Sequence, residues 1–383
     1  MDGDARGFLD GLKESFAELK DPRNPNSCEH LLFDILAIAV LSVACSADDW
    51  CGMASFARIK LDWLKTFLEL PGGAPSHDTF RRVFGLLERG RFAAQLFHWT
   101  QALQEATGGK LVAIDGKTLR RTFNKKSGLK ALHLVTAWAS ENGLTLGQVA
   151  CEEKSNEITA IPQLLKLLNL KGCTVTIDAM GCQTEIVEEI REQKAHYVLA
   201  VKDNQPTLHA DLHQVFEEAL NTDFAGVRHD THTTQETAHG RTTQRTYHAI
   251  AIPHDHPQRK KWRDLQTLVI ATTFVTKDEQ ETWETRIFIS DLAPRAKSLG
   301  KAIRKHWAIE NSQHWVLDVA FSEDAARQQD RNGSTNLAAI RRFIVSLLRQ
   351  ETTLKLGAKT KRITCALDTN YLLKVFATAK IDA

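Results

Sequence analysis

The chain has 383 residues, 43% of them hydrophobic and 25% charged, and carries a formal net charge of +2 at pH 7. These values are ordinary for a soluble globular protein of two or three domains, and the small net charge neither supports nor excludes nucleic acid as a partner. Seven scattered cysteines without a C-x-x-C pair argue against a disulfide framework or a cysteine zinc site, and they predict reduced thiols in the cytosol. No signal peptide is recognised, and the longest apolar run, residues 31–45, is too short to span a bilayer.

Helical periodicity dominates the first 106 residues, which are predicted to form an all-α N-terminal domain. Ser76 is a suitable N-cap for the helix that follows it, because its side chain can accept a backbone N–H of the first turn. That helix carries Arg81 and Arg82 outside its apolar face and could read DNA. Since no specific helix-turn-helix pattern is present, an amphipathic helix of a small bundle is the simpler interpretation. The predicted helices cover residues 8–19, 29–45, 48–68, 76–87 and 91–106.

Strand and helix patterns alternate from residue 107, where the predicted α/β domain begins, and this domain is predicted to continue to residue 350. Asn142 and Gly143 separate the second and third strands and form a hairpin signal. Three strands, a helix, a strand, a helix and a strand are the order of a ribonuclease-H-like core, although fold order alone does not define function. The predicted strands cover residues 111–114, 131–139, 144–151, 173–177 and 197–201, and the predicted helices cover 157–168 and 184–193.

Two of these short apolar strands each end in an aspartate, Asp115 and Asp178. In the predicted fold the first and fourth strands are central neighbours, so we expect the two side chains side by side at one edge of the sheet. Such a pair could bind divalent metal ions together with a third acidic residue. The alternative for each aspartate taken alone is a turn or helix cap after a strand.

The segment KAIRKHWAIENSQHWVLDVAFSED, residues 301–324, follows Gly300 and contains no proline or glycine, which predicts a helix of several turns. His306, Glu310 and His314 recur every four residues and therefore share one side of that helix. Taken alone, the pattern fits a solvated glutamate with surface or core histidines. With the two aspartates, Glu310 would complete an oxygen-rich site for one or two Mg²⁺ or Mn²⁺ ions. A third interpretation is a hydrolase in which the glutamate and both histidines hold a transition metal.

A β-rich insertion is predicted at about residues 203–294, between the last core strand and the helix that carries Glu310. It contains a predicted helix at 208–220, a polar alternation rich in threonine and histidine, and apolar runs at 268–274 and 283–289. The histidines of this region lack the paired spacing that a zinc site requires.

Positive charge is concentrated in two places. A basic cluster over residues 110–130 surrounds Asp115, and from Arg295 to the end sixteen Lys and Arg face eight Asp and Glu. Near the C-terminus we predict a helix at 337–350 that carries three arginines and a basic tail at 351–383. Basic side chains beside a candidate metal site suit a polyanionic substrate, although a solvated surface is the alternative.

Six segments spread over residues 8–349 together resemble the H-repeat-associated transposases of bacterial insertion sequences, which belong to the DDE superfamily. The resemblance implies an enzyme that cleaves and joins DNA strands at the ends of an insertion sequence. It also implies that Asp115, Asp178 and Glu310 are its catalytic and metal-binding acids. The six segments are AIDGKTLR, EKSNEITAIPQLL, TIDAMGCQ, YVLAVKDNQ, HGRTTQR and IRKHWAIENSQHWVLDVAFSED.

The resemblance further implies Mg²⁺ or Mn²⁺ as the cofactor and double-stranded DNA as the partner, both the terminal repeats of the element and the target. A homo-oligomer on DNA, in the bacterial cytoplasm and at the nucleoid when bound, is expected. An alternative of a different class is a catalytically inactive DNA-binding protein that descends from a transposase.

The chain departs from one signature of related cut-and-paste transposases, in which Tyr, Arg and Lys accompany the last acid. Ile303, His306 and Leu317 occupy those three positions here. Together with Asn311 and His314, His306 instead agrees with the R-x-H-W-x-I-E-N-x-x-H-W form that is typical of the H-repeat group. The phosphate contacts of the other signature are therefore not carried over to this chain.

Candidate DNA contacts are polar or basic residues near the acidic triad, in the insertion and in the C-terminal helix. For each of them a solvated surface position is the alternative. The candidates are Lys117, Arg120, Arg121, Lys202, Asn204, Gln205, Arg241, Arg245, Arg304, His306, Asn311, His314, Arg341 and Arg342.

Overall fold

The computed structural model describes residues 3–108, 110–151, 157–238, 240–278 and 280–378. Within these ranges the chain is a mixed α/β protein that divides into two compact units. The first unit comprises Met1–Gly109, Gly116–Asn156 and Ile309–Ala383, and the second comprises Lys110–Asp115 and Glu157–Ala308. The N-terminal and C-terminal helices are thus grouped in one unit, a division that differs from the sequence-predicted boundaries at residues 106 and 350.

Helices and strands are numbered here in chain order. Residues 153–156 of the EKSNEITAIPQLL segment and residues 379–383 of the predicted tail lie outside the described ranges. The helices are α1 (Gly3–Phe16), α2 (Leu32–Ala44), α3 (Trp50–Ile59), α4 (Leu61–Leu64), α5 (His77–Leu86), α6 (Arg89–Thr107), α7 (Glu157–Leu165), α8 (Thr184–Glu192), α9 (Pro206–Asn221), α10 (Pro257–Lys261), α11 (Ala296–His306), α12 (Trp315–Phe321), α13 (Arg331–Gln350), α14 (Ala358–Leu367) and α15 (Thr369–Ala377). The strands are β1 (Leu111–Leu119), β2 (Leu132–Ala139), β3 (Leu144–Cys151), β4 (Thr174–Ile177), β5 (His196–Val201), β6 (His229–Ala238), β7 (Arg241–Ala251), β8 (Thr267–Lys277) and β9 (Gln280–Ser290).

The described strands of the second unit are hydrogen-bonded in the order β1-β4-β5-β9-β8-β7-β6. β4 pairs in parallel with both β1 and β5, and β5 pairs antiparallel with β9. The register pairs Ile114 with Ile177, which confirms the prediction that the first and fourth core strands are neighbours. Apart from half-buried Ala200, the apolar side chains of β4 and β5 are buried, as expected for parallel strands covered on both faces.

The predicted β-rich insertion contains the antiparallel strands β6 to β9. β6 is polar and mostly exposed, and cross-strand threonine pairs connect the polar halves of the strands. The hydroxyl oxygens of Thr233 and Thr246 are 3.1 Å apart, and those of Thr272 and Thr285 are 3.2 Å apart. β8 and β9 were predicted from the sequence as apolar runs. β6 and β7 were visible only as a polar alternation, because threonine-rich segments do not show regularly spaced apolar residues.

Helix α11 packs its apolar side on the base of this inserted sheet. It begins at Ala296, whose backbone N–H donates to Asp230 Oδ2 on β6 at 2.7 Å. Gly300 therefore lies inside the helix, and the prediction that the helix opens after Gly300 is wrong. A Cβ at this position would come 2.8 Å from the Tyr247 ring, so glycine permits the close approach of helix and sheet. The buried cluster between them consists of Leu111, Val198, Tyr247, Ala249, Val269, Ala271, Phe288, Ala296, Leu299, Ala302 and Ile303.

In the first unit, β2 pairs antiparallel with β3, and both strands are largely buried. α6 and α13 contact β3. The backbone N–H of Thr145 on β3 donates to Ser346 Oγ on α13 at 2.9 Å. Asn336 on α13 donates to the carbonyls of Phe84 and Leu87 at 3.1 Å each, which ties the end of α5 to the same helix. α13 thus lies at the centre of this unit.

The predicted N-cap of α5 is confirmed, because Ser76 Oγ accepts the backbone N–H of Thr79 at 3.2 Å. Phe80 and Val83 on this helix are buried, whereas Arg81 and Arg82 are exposed. This arrangement is that of an amphipathic helix packed in a bundle. None of the described helices is both long and apolar enough to cross a membrane.

Candidate functional site

The two predicted aspartates come directly after the last residues that β1 and β4 pair with each other. β1 itself continues to Leu119, so the prediction that this strand ends at Asp115 is wrong. Ile114 pairs with Ile177, and the next residue on each strand is Asp115 and Asp178, respectively. Adjacent strands lie about 4.8 Å apart, so the backbones of the two acids are close neighbours at this edge of the sheet. Asp115 is half-buried within β1, and Asp178 is exposed where β4 ends.

The segment after Asp178 is a short 3₁₀ turn, Ala179–Gly181. Asp178 is its N-cap, and Oδ1 accepts the backbone N–H of Met180 at 3.1 Å. A Cβ on Gly181 would collide with the Ile177 side chain, so this turn requires glycine for its close return to the strand. The predicted alternative role of this aspartate, a cap after a strand, is therefore real, and it fixes the position of one carboxylate oxygen.

The imidazole of His306 contacts β4 at Thr176, the residue two positions before Asp178. His306 Nδ1 is 3.0 Å from Thr176 Oγ1. Thr176 and Asp178 alternate with buried Ile177 and therefore face the same way. Burial lowers the pKa of His306 to about 4 against the opposing effect of the Asp178 carboxylate, so the imidazole is neutral at pH 7. A neutral ring offers a hydrogen bond to DNA but not the positive charge of a phosphate-binding residue.

The predicted helix over residues 301–324 is confirmed as a helical segment as far as Phe321, but it is not one regular α-helix. α11 ends at His306, a turn follows at Trp307, and Glu310–His314 forms a π-helical turn before α12 begins. The π geometry spaces hydrogen bonds five residues apart, so a four-residue recurrence does not define one straight helical face here. The alternative transition-metal site on His306, Glu310 and His314 required all three side chains on one helical face, so this argument for the site no longer holds.

Glu310 is exposed at the start of the π-helical turn, and single π turns inside helices are frequent at functional sites. It belongs to the first unit, whereas Asp115 and Asp178 belong to the second, so the convergence of the three acids stays a prediction. Among the residues that the structure describes, no three His, Cys, Asp or Glu side chains form a group that could hold a metal ion. The oxygen donors of the two aspartates on neighbouring strands nevertheless suit Mg²⁺ or Mn²⁺.

Lys117 does not present its ammonium group to solvent, contrary to the prediction of a DNA contact. Its side chain is 8% exposed, and Nζ lies 2.8 Å from both carboxylate oxygens of Asp318 on α12. A longer contact of 3.4 Å reaches Asp324, which also pairs with the exposed Arg120 at 3.2 Å. Lys117 therefore holds β1 to α12, and Arg120 and Arg121 remain the exposed basic residues of this strand end.

The prediction that Arg341 and Arg342 hold a phosphate backbone is also corrected. Both side chains of the Arg342–Glu323 ion pair are 0% exposed, and Nη1 lies 2.7 Å from Oε1. Arg341 donates to the carbonyl of Asp48 at 2.8 Å, and burial lowers its pKa. The sequence could not distinguish these residues from surface arginines, because their carboxylate and carbonyl partners lie far along the chain.

The remaining candidates differ in exposure and in partners. Arg245 of the insertion and Arg304 of α11 both pair with Glu236, at 2.8 and 3.1 Å, while Arg241 is exposed opposite Lys277 on β8. Lys277 was not predicted from the sequence, although its position at a polar hairpin end was a usable signal. Exposed or half-buried candidates also include Lys202, Asn311 and His314.

Asn204 and Gln205 contact the turn that follows Asp178. Asn204 Nδ2 donates to the Ala179 carbonyl at 2.7 Å, and Gln205 Nε2 donates to the Cys182 carbonyl at 2.9 Å. The sequence predicted DNA contact for both residues and could not reveal this role. Thr176 was not predicted from the sequence, although it lies on a predicted strand two residues before Asp178.

Comparison with known proteins gives two matching family models. The model described as "Transposase DDE domain" matches residues 106–348, and the model described as "DDE_Tnp_1-associated" matches residues 13–100. The first of these ranges contains all three predicted acids.

Individual relatives match over three quarters of the chain or more. "Putative transposase YncI" of Escherichia coli O157:H7 is 39% identical over 374 residues, which cover 96% of this chain and 95% of the relative. "H repeat-associated putative transposase YhhI" of Escherichia coli (strain K12) is 33% identical over 375 residues, covering 96% and 98%, respectively. A protein named "Uncharacterized protein in dhlA 3'region" of Xanthobacter autotrophicus is 39% identical over 291 residues, covering 75% of this chain and 96% of the relative.

Proposed function

Since the chain belongs to the family of DDE transposases, we propose that it cleaves DNA at the ends of an insertion sequence and joins those ends to a target DNA. The observation that carries this proposal is the placement of Asp115 and Asp178 directly after the last matched pair of neighbouring parallel strands. Two carboxylates on neighbouring strands repel each other, because both carry a negative charge. They are useful where a metal ion neutralises them.

The metal ligands in this proposal are Asp115, Asp178 and Glu310, and the ions are Mg²⁺ or Mn²⁺. The all-oxygen ligand set supports hard divalent cations over zinc. When bound, the metal supplies charge stabilisation for the attacking and leaving oxygens of a phosphodiester. The chain itself orients the acids: the Met180 N–H holds one oxygen of Asp178, and β1 fixes the backbone of Asp115.

A ribonuclease-H-like core is the finer fold assignment that we propose. It is supported by the chain order of β1 to β5 with α7 and α8, by the parallel pairing of β1, β4 and β5, and by the antiparallel pairing of β2 with β3. The strands β6 to β9 would then be an insertion between the last core strand and the helix before Glu310.

Double-stranded DNA is the proposed partner, held by exposed basic residues. Arg120, Arg121, Lys202 and Arg241 keep their charge at the surface and support this role, whereas the buried arginines of α13 do not. An enzyme that acts on two DNA ends is expected to work as a homo-oligomer. It would lie in the bacterial cytoplasm, and at the nucleoid when bound to DNA. The helices before residue 107 are candidates for contact with the DNA ends.

The test is incubation of the purified protein with DNA that carries the ends of its own element. We expect cleavage at those ends with Mg²⁺ or Mn²⁺ and none in EDTA. Asp178→Asn keeps the shape but removes a negative ligand, so the cleavage rate should fall by a factor on the order of 100 or more, while DNA affinity is retained or rises. Asp255→Asn, at an exposed aspartate between β7 and α10, is the charge-matched control and should cleave at the parental rate.

Three results would overturn the proposal. Cleavage that persists in EDTA or needs Zn²⁺ would exclude the oxygen-ligand site. Parental cleavage by Asp178→Asn would remove this acid from the chemistry. Tight binding to the element ends without cleavage under any ion would favour an inactive DNA-binding descendant.

A further inference from the structure

The turn after Asp178 is held at both of its ends by the side-chain amides of two consecutive residues. At the near end, Asn204 Nδ2 donates to the Ala179 carbonyl at 2.7 Å. At the far end, Gln205 Nε2 donates to the Cys182 carbonyl at 2.9 Å and lies 3.4 Å from Gln183 Oε1. Backbone carbonyls are the acceptors in both main contacts, so the amides restrain the path of the chain.

The topology of the sheet explains why these residues reach this turn. β5 lies parallel to β4, and Leu199 pairs with Ile177. The carboxyl ends of both strands therefore meet at the same edge, where the 202–205 segment leaves β5 and the Asp178 turn leaves β4. The restraint crosses from one strand end to the next within the second unit.

Backbone hydrogen bonds also close the turn, since the Gly181 N–H donates to the Asp178 carbonyl and the Cys182 N–H to the Ala179 carbonyl, at 3.1 Å each. Cys182 is fully buried and anchors the far end, and the Cβ-free Gly181 permits the tight return to Ile177. At the near end, Ala179 follows the acid directly, and its carbonyl receives the Asn204 amide. The Asn204 amide therefore restrains the Ala179–Met180 peptide, whose N–H holds Asp178 Oδ1, and loss of this bond would loosen the hold on the carboxylate.

We propose that Asn204 and Gln205 are positioning residues, which fix the Asp178 carboxylate for divalent metal binding rather than contact DNA. This inference rests on the proposed function, because it takes Asp178 as a metal ligand. Residues that orient metal ligands through hydrogen bonds typically contribute 10- to 100-fold to metal affinity. Their amide N–H groups point at the turn, which accounts for their residue type without a DNA contact.

The experiment measures Mn²⁺ binding to the full-length protein without DNA, by titration calorimetry and by the Mn²⁺ electron paramagnetic resonance signal. Asn204→Ala and Gln205→Ala should each weaken Mn²⁺ binding about tenfold or more. Asn204→Leu and Gln205→Met, which keep the side-chain volume but lack the amide, should do the same. Thr207→Ala, at an exposed residue in the first turn of α9, should bind Mn²⁺ like the parent.

DNA affinity measured in EDTA separates positioning from DNA contact. The four variants should bind the element ends within about twofold of the parent. A fall in DNA affinity in EDTA with parental Mn²⁺ binding would overturn the inference and restore both residues as DNA contacts.

Asp178→Asn distinguishes failure of this inference from failure of the proposed function. If Asp178→Asn binds Mn²⁺ like the parent, or if the parent binds none, the proposed metal site itself is wrong. If Asp178→Asn loses Mn²⁺ binding while the Asn204 and Gln205 variants keep it, the metal site stands and only the positioning role is refuted.

Discussion

Burial separates the arginines that stabilise the fold from those that are available at the surface. Arg342 and Glu323 form an ion pair that is fully enclosed, with additional donation from Arg342 to the Ala338 carbonyl at 3.1 Å. A buried charge without its partner is strongly unfavourable, because the low-dielectric interior cannot solvate it. The same side chain on the surface would contribute little to stability.

Arg342→Gln should therefore lower the free energy of unfolding by about 3 kcal/mol or more, because it leaves Glu323 charged and unpaired in the core. Denaturant unfolding of the purified protein measures this change. Arg121→Gln, at an exposed arginine, is the matched control and should stay within about 0.5 kcal/mol of the parent. A stably folded Arg342→Gln protein with weakened DNA binding would instead revive the DNA-contact role.

At the scale of secondary-structure elements, one carboxylate joins three helices. Glu351 follows α13 and is 1% exposed, and its carboxylate accepts the Tyr371 hydroxyl of α15 at 2.7 Å and pairs with Lys361 of α14 at 3.3 Å. Thr353 N–H donates to it at 2.7 Å. Burial alone would raise the pKa of Glu351, but the hydrogen bonds from Thr353, Tyr371 and Lys361 lower it to about 2.

This shift predicts a pH-dependent contribution to stability. A glutamate in the unfolded chain has a pKa of about 4.3, so the stabilisation is fully present above that value and is lost as pH falls toward 2. Glu351→Gln should cost about 2 kcal/mol at pH 7, and the difference from the parent should shrink between pH ~4.5 and ~2. Unfolding curves across this range test the prediction, with Glu14→Gln as an exposed control on α1. A difference that is constant with pH would assign the effect to packing instead.

Elements with a buried face were predictable from the sequence, and elements without one were not. β1 to β5 and α5 were found because apolar side chains recur with the period of the element. β6, exposed and rich in threonine, carries no such signal, and the interruption of the helix before Glu310 depends on backbone geometry that no residue type announces. The partners of Lys117 and Arg342 could not be predicted either, because long-range packing selects them.

At the scale of the whole molecule, the small net charge does not show which Lys and Arg side chains are accessible at the surface. Arg241 and Lys277 lie opposite each other at the end of the inserted sheet, outside the ion pairs that Glu236 makes with Arg245 and Arg304. An adjacent cation pair of this kind is suited to neighbouring phosphates.

Replacing Arg241 and Lys277 together by Gln should weaken DNA binding uniformly across sequences and reduce the slope of log affinity against log salt by about 2, one for each phosphate that the pair neutralises. Binding measured across a salt series tests this. Lys260→Gln with Lys261→Gln removes the same charge from exposed positions of α10 and serves as the control. Equal slopes for the two double variants would mean that general charge, and not this pair, sets the salt dependence.

The packing of α11 on the inserted sheet also limits which parts of the chain can be deleted. Tyr247, Ala249, Val269 and Phe288 come from the insertion and form most of the apolar floor beneath Leu299 and its helix. An in-frame deletion that joined β5 directly to α11 would leave this helix without a surface to cover it, and the π-helical turn that carries Glu310 follows α11 along the chain. A chain that loses the insertion should therefore not keep α11 packed in place, and length changes at the base of the sheet should be tolerated less well than changes in exposed loops away from Arg241 and Lys277.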